Sequence, residues 1–139
     1  MQLQVSTDYA VRILQHLHIH RAELATAKTI SDAIGVTYSF FIKIANQLKK
    51  HGLLHTVQGR KGGYMLARPA SEISLYDIFL AIEGKLQINR CLRDDQYCSR
   101  DAVGKCPVHD YLFALQNDMI ALLSSKYISE FVPAEDGEA

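Results

Sequence analysis

No stretch of this 139-residue chain reaches the roughly 18 consecutive apolar residues that a membrane-spanning helix needs. No membrane partner is therefore expected. Cysteine is scarce, with only three residues. An odd and small number does not build a disulfide framework. The opening Met1-Gln2-Leu3-Gln4-Val5 lacks the layout of a signal peptide. Together these point to a reducing, cytoplasmic setting, where disulfides are rare. No glycine-rich phosphate loop sits between a strand and a helix. His16, His18 and His20 alternate along the first expected helix without a nucleophile or a carboxylate pair beside them, so no enzyme is expected. Internal repeats are missing too.

Acid is missing from one long segment. Between Ala33 and Ser71 no Asp or Glu occurs, yet Lys43, Lys49, Lys50, Arg60, Lys61 and Arg68 do, with His51 and His55. The formal net charge of zero hides this. Residues 1–70 hold nine Lys/Arg against three acids, and residues 71–139 hold six against twelve. A surface free of negative charge over such a length attracts a polyanion, and nucleic acid is the expected partner.

With 48% apolar residues the chain can bury an ordinary core as one domain. From Thr7 to Arg21, Ala10, Ile13, Leu14 and Leu17 follow helical spacing. Thr29 and Asp32 fit a capping box that opens a short helix with Ile30, Ala33 and Ile34 inward, closed by Gly35. A second helix over Tyr38–His51 buries Phe41, Ile44, Ala45 and Leu48. It turns Ser39, Lys43, Asn46, Lys49 and Lys50 outward. Two short helices across a tight turn make a helix-turn-helix. Leu53–Val57 and Tyr64–Ala67 read as strands around Gln58-Gly59-Arg60-Lys61-Gly62-Gly63. A hairpin in this place is a wing, with two cations at its tip. The fold class expected is mainly α with a small β-hairpin: a winged helix-turn-helix followed by a long C-terminal helix.

The expected DNA contacts follow from this layout. Thr37, Tyr38, Ser39 and Lys43 lie in the first turns of the second helix, the part that reaches base edges. Lys49 and Lys50 close that helix. Arg60, Lys61, Gly62 and Tyr64 belong to the wing, with Arg60 expected to reach a minor groove.

Ser74 and Asp77 form another capping box, opening a helix with Leu75, Ile78, Phe79 and Ile82 inward and Gly84 as its stop. The three cysteines follow as Cys91-x6-Cys98-x7-Cys106, with His109 next. The residues between them are polar and charged, so the thiols belong to a loop rather than to a core. Thiolate and imidazole hold zinc and iron–sulfur clusters. The wide gaps suit a multi-iron cluster better than a tight zinc knuckle, and zinc stays open. From Val108 to Ser129, Leu112, Leu115, Met119 and Leu122, widened by Phe113, Ile120 and Leu123, repeat on a helix broad enough for the core and a second subunit. The expected organisation is a DNA-binding unit over 1–84, a cysteine loop over 85–107, a dimerisation helix over 108–130 and a disordered acidic tail over 131–139.

Several short pieces then converge. Met1-Gln2-Leu3 with Thr7-Asp8-Tyr9-Ala10-Val11-Arg12, the wing Gly59-Arg60-Lys61-Gly62-Gly63-Tyr64, Ala67-Arg68-Pro69-Ala70 and the three-cysteine loop together resemble the Rrf family of iron–sulfur winged-helix transcriptional regulators. The resemblance runs from Met1 to about Val132. It implies a bacterial homodimer that binds double-stranded operator DNA, usually as a repressor. It also implies an iron–sulfur cluster, 2Fe-2S or 4Fe-4S, on Cys91, Cys98, Cys106 and one further ligand. His109 is similar to the ligating histidine of IscR-type members. Asp8 is similar to the acidic ligand that NsrR-type members take from the other subunit. His109 is preferred, because one turn at the start of the last helix aims it and Cys106 at the same metal. The cysteine gaps exceed the family's usual five and five, so the cluster type stays open. The alternative is a cluster-free winged-helix regulator that uses zinc or thiol redox chemistry.

Overall fold

A computed structural model describes residues 2–133. It contains α1 (Val5–Ile19), α2 (Ala27–Ile34), α3 (Tyr38–Lys50), β1 (Leu54–Val57), β2 (Gly63–Leu66), α4 (Leu75–Glu83) and α5 (Pro107–Ser124), with short 3₁₀ turns at Ala70–Glu72, Arg90–Leu92 and Ile128–Glu130. This is the winged helix-turn-helix with a long C-terminal helix that the residue pattern implies.

Helix α1 buries Thr7, Ala10, Ile13, Leu14 and Leu17 on one face. That face meets α2, α3 and α4, and the shared interior holds Ile30, Phe41, Ile44, Leu48, Leu53, Ile73 and Ile78. Each such side chain removed from water stabilises the fold by roughly 1.5–3 kcal/mol before the ordering entropy is counted. The positive end of α1 is satisfied from outside. Its cap residue Gln4 contributes no side-chain bond, but Glu83 at the end of α4 accepts from the Gln4 amide at 3.3 Å and from the Thr7 hydroxyl at 2.5 Å. A carboxylate there also complements the helix dipole.

The start of α2 differs from expectation. Thr26, not Thr29, is its cap, and accepts the Thr29 amide at 3.2 Å. The cause is tertiary. Ala25 forms an isolated antiparallel bridge with Tyr64, whose amide donates to the Ala25 carbonyl at 2.8 Å. That bridge holds the chain extended through Ala25, and the helix begins as soon as it is released. Within α2, Ile30 and Ser31 are buried and Ala33 is exposed.

Thr37 caps α3 by accepting the Phe40 amide at 3.3 Å. The hairpin pairs Leu54 with Leu66, His55 with Met65, Thr56 with Tyr64 and Val57 with Gly63. Two of its glycines are steric requirements. A Cβ on Gly63 would stand 2.6 Å from the Ala25 carbonyl oxygen, and one on Gly62 would run into the carbonyls of Val57 and Gly59. The α1–α2 connection and the wing thus lie too close for any side chain between them.

The Ser74–Asp77 capping box forms as expected, with bonds of 3.0 and 2.9 Å. Asp77 also pairs with Arg68 at 3.1 Å, which ties β2's exit to α4. Helix α5 ends at Ser124, short of both Ser129 and the 130 boundary expected from its apolar pattern. The two serines at its end are weaker helix formers than the leucines before them. The next residues are claimed by the core instead. The Leu75 amide donates to the Lys126 carbonyl and the Ile128 amide to the Ile73 carbonyl, both at 2.9 Å, and Ile128 is fully buried. The chain then returns along α1, where the Gln15 amide donates to the Phe131 carbonyl. Residues 131–133 of the expected acidic tail therefore pack on the fold, and residues 134–139 lie outside the described residues.

Candidate nucleic-acid interface and cysteine cavity

The cationic residues stand where DNA reaches them. Thr37, Tyr38, Ser39 and Lys43 are all accessible at the start of α3, and Lys49 and Lys50 are exposed in its last turn. Arg60 and Lys61 are exposed at the tip of the wing. Gly62 donates its amide to the Gly59 carbonyl at 3.0 Å and closes that tip. Tyr64 is placed differently from the others. Its ring packs edge-on against Phe41 with centroids 5.2 Å apart. Burial, and then the nearby Tyr38, push its hydroxyl above the ordinary tyrosine range. Tyr64 thus anchors the wing to α3 and sets the angle between them.

The reading surface makes a first prediction. Ser39→Ala and Lys43→Ala leave the α3 core stripe intact and should alter sequence preference, at a cost of roughly 1–3 kcal/mol for the base pair concerned. Competition binding between duplexes that differ at single base pairs checks this. Unchanged preference in both variants would move the reading residues elsewhere.

The cysteine segment is built from short local devices. Arg90 grips Asp95 through two bonds of 2.6 and 2.7 Å and stacks over Tyr97 at 5.0 Å. That grip holds the Asp95 carboxyl down at about 2 and raises the Arg90 guanidinium. Cys91 lies inside the 3₁₀ turn Arg90–Leu92 and Cys106 is the cap residue of α5, with Pro107 in the first position, where its missing amide costs nothing. His109 follows on the first turn of α5. Cys91, Cys98, Cys106 and His109 all line one cavity of about 300 Å³, with Arg90, Tyr97 and Arg100 at its edge.

The three thiols are unpaired and half-buried. The His109 imidazole Nδ1 lies 3.1 Å from the Cys91 sulfur. The Asn89 amide donates to the same sulfur at 3.4 Å, and Arg100 to the Cys106 sulfur at 3.8 Å. Backbone amides, that of Ala102 first and then that of Arg100, hold the Cys98 thiol below its ordinary range. Every sulfur thus has a donor or positive group beside it, which is the environment that favours thiolate. Three thiolates and an imidazole are the donor types of iron–sulfur sites. They fit such a group chemically. Among the described residues no three His, Cys, Asp or Glu side chains are gathered closely enough for a single metal ion. The donors stand around the cavity rather than at one point.

Asp8 is not among the residues of that cavity. It is exposed on α1 and pairs with Arg12 at 2.7 Å. Arg12 in turn lies over the Tyr9 ring at 5.1 Å.

Two linking residues do not stand out in the sequence pattern. Gln116 is the one buried residue of α5 among the described residues, and its side-chain oxygen accepts the Ile88 amide at 2.9 Å. This ties the chain entering the cysteine segment to α5. A glutamine between Leu112, Leu115 and Met119 is the available signal. Glu83 joins the end of α4 to the start of α1, and nothing in its sequence neighbourhood marks it. The apolar face of α5 is largely uncovered: Val108, Tyr111, Phe113, Leu115 and Leu122 are exposed.

Comparisons with known proteins agree with this arrangement. The profile of the Rrf2 family, described as an iron-dependent transcriptional regulator, matches residues 3–134. Protein aau3 of Rhizobium meliloti is 33% identical over 134 residues, covering 96% of this chain and 86% of that protein. The transcriptional regulator NsrR of Shouchella clausii is 32% identical over 100 residues, or 70% of this chain and 67% of its own. Among solved structures, IscR of T. potens superposes with a TM-score of 0.73 at 21% identity, over 93% of this chain and 84% of that one. CymR, the global cysteine regulator of B. subtilis, gives 0.76 at 18%, over 93% and 94%. At these identities the structural likeness concerns the fold.

Proposed function

Because this chain belongs to the Rrf2 family of transcriptional regulators, a family of DNA-binding proteins and not of enzymes, we propose that it is a homodimeric repressor whose affinity for operator DNA is set by an iron–sulfur cluster on Cys91, Cys98, Cys106 and His109. The observation that carries this reading is the meeting of those four side chains around one cavity. Their spread around about 300 Å³, rather than on a point, suits a multi-atom cluster better than one zinc ion. Bound there, the cluster supplies redox, iron-loss and nitric-oxide chemistry to the loop.

The residues of the chain pass that state to DNA. Cys91 follows α4, which is joined to α1 through Glu83. Cys106 and His109 begin α5, and Gln116 fastens α5 to the chain ahead of Cys91. Gathering the thiols therefore fixes α5 relative to residues 1–84, the proposed DNA-binding unit. The exposed apolar face of α5 pairs with the same face of a second copy, since self-complementary pairing is the commonest way to cover such a face. Two winged helices joined in this way read half-sites about one DNA turn apart, and a small change in their spacing changes affinity. Thr37, Tyr38, Ser39 and Lys43 take the major groove, and Lys49, Lys50, Arg60 and Lys61, with the Gly62 backbone, take the phosphates. Tyr64 supports them from beneath.

Anaerobic purification followed by iron and sulfide analysis and a visible absorption spectrum tests the cofactor. Iron with equimolar sulfide and a broad visible band are expected. A second reading, thiol redox without iron, draws on the fold shared with CymR and on the Arg100 and His109 groups set against Cys106 and Cys91. Protein free of iron and sulfide, whose DNA affinity nevertheless responds to peroxide, would establish it.

A further inference from the structure

His16, His18 and His20 take no part in the function proposed above, and the fold separates them. His18 lies with Arg21 along the cavity beside the wing. His16 and His20 are neighbours on one face of α1, with ring centroids 4.4 Å apart and planes inclined by 40°. They share a different cavity, of about 310 Å³, between α1, the end of α2 and Pro133. Two imidazoles four residues apart on a helix are the geometry with which helical His-x3-His pairs chelate zinc.

The same cavity shows what completes the donor set. Pro133 is the last described residue and lines it. The chain is fastened just before, where Gln15 donates to the Phe131 carbonyl. The residues that follow are Ala134-Glu135-Asp136-Gly137-Glu138. Two extended residues span about 7 Å, so the first of these carboxylates comes within reach of the two rings. A carboxylate tethered this closely has an effective concentration in the millimolar range. The one cation at the cavity, Arg12, already has its charge offset by Asp8 at 2.7 Å.

We propose that His16 and His20 are the core of a second metal site, for a borderline first-row divalent ion such as Zn²⁺ or Ni²⁺, completed by a carboxylate of residues 135–138. Two imidazoles and one carboxylate form a recognised zinc donor set with a position left for water. The site is independent of the cysteine cavity and of whether that cavity holds a cluster. It sits against Ile34, at the turn of the helix-turn-helix, and gives the regulator a metal input separate from its thiols.

Equilibrium dialysis of the full chain against NiCl₂ tests the proposal. Wild type and His18→Ala should bind one equivalent more than His16→Ala or His20→Ala, because any nickel on the thiols is common to all four proteins. His20 is exposed, so His20→Ala keeps the test valid if the half-buried His16 position disturbs the helix. A chain ending at Pro133 should retain the equivalent but bind it roughly tenfold more weakly, as expected when a tethered ligand is removed. Equal stoichiometry in wild type and His20→Ala would overturn the site. Unchanged affinity in the shortened chain would overturn the proposed carboxylate ligand.

Discussion

Replacing Cys98 by serine should abolish cluster assembly, with iron and sulfide falling to background and the visible band disappearing. The same holds for Cys91→Ser and Cys106→Ser. An iron held by three thiolates and one other ligand cannot lose a thiolate and remain fully coordinated. The fold itself should survive, because the three cysteines are half-buried in a polar segment and none belongs to the core. Far-ultraviolet circular dichroism and melting temperature should therefore stay near wild type. The fourth ligand separates two variants. His109 lines the cysteine cavity and touches Cys91, whereas Asp8 is engaged with Arg12 on α1. His109→Ala should lose the cluster or hold it only transiently, and Asp8→Ala should assemble it normally. Loss in Asp8→Ala with a normal spectrum in His109→Ala would transfer the role to an aspartate reaching across from the other subunit.

The second large effect is expected at the wing. Arg60→Ala together with Lys61→Ala should weaken binding to every duplex alike. It should also reduce the slope of log affinity against log salt by about two, one for each phosphate no longer neutralised. Both side chains are exposed at the tip of a hairpin whose base is locked by Gly62, Gly63 and Tyr64, so their removal should not disturb the fold. Fluorescence anisotropy at several salt concentrations measures the slope directly. A double variant with the wild-type slope would take the wing off the DNA. The reading-helix variants Ser39→Ala and Lys43→Ala offer the contrast, because they act on preference among sequences rather than on all of them.

Features that local chemistry decides are legible in the sequence. The α1 stripe, the Ser74–Asp77 box, the Thr37-capped reading helix and the glycine-bounded wing each depend on residues a few positions apart, and each forms where the pattern puts it. The features that differ depend on distant partners. Thr29 has a capping pattern, but the bridge between Ala25 and Tyr64 releases the chain earlier, so Thr26 takes the role. The apolar repeat carries α5 on to Ser129, but Ile128 is drawn into the core beside Ile73. The place of Tyr64 beside the wing says nothing of Phe41, whose ring holds it inward. At the cysteine site the donor types are legible, but not what orients them. The Arg90–Asp95 grip, the Gln116 tie and the Glu83 cap become visible only when the chain is folded.

Whether the state of the cysteine cavity sets DNA affinity is decided by one binding comparison. A duplex selected from a random pool on the anaerobically purified protein is titrated with that protein, and then with the same preparation after iron removal by a chelator under reducing conditions. Affinity should change by about fivefold or more, the lower end of typical coupling between two sites, with no change in the Cys98→Ser protein treated identically. Superimposable isotherms before and after iron removal would contradict control of the DNA-binding unit by the cysteine cavity.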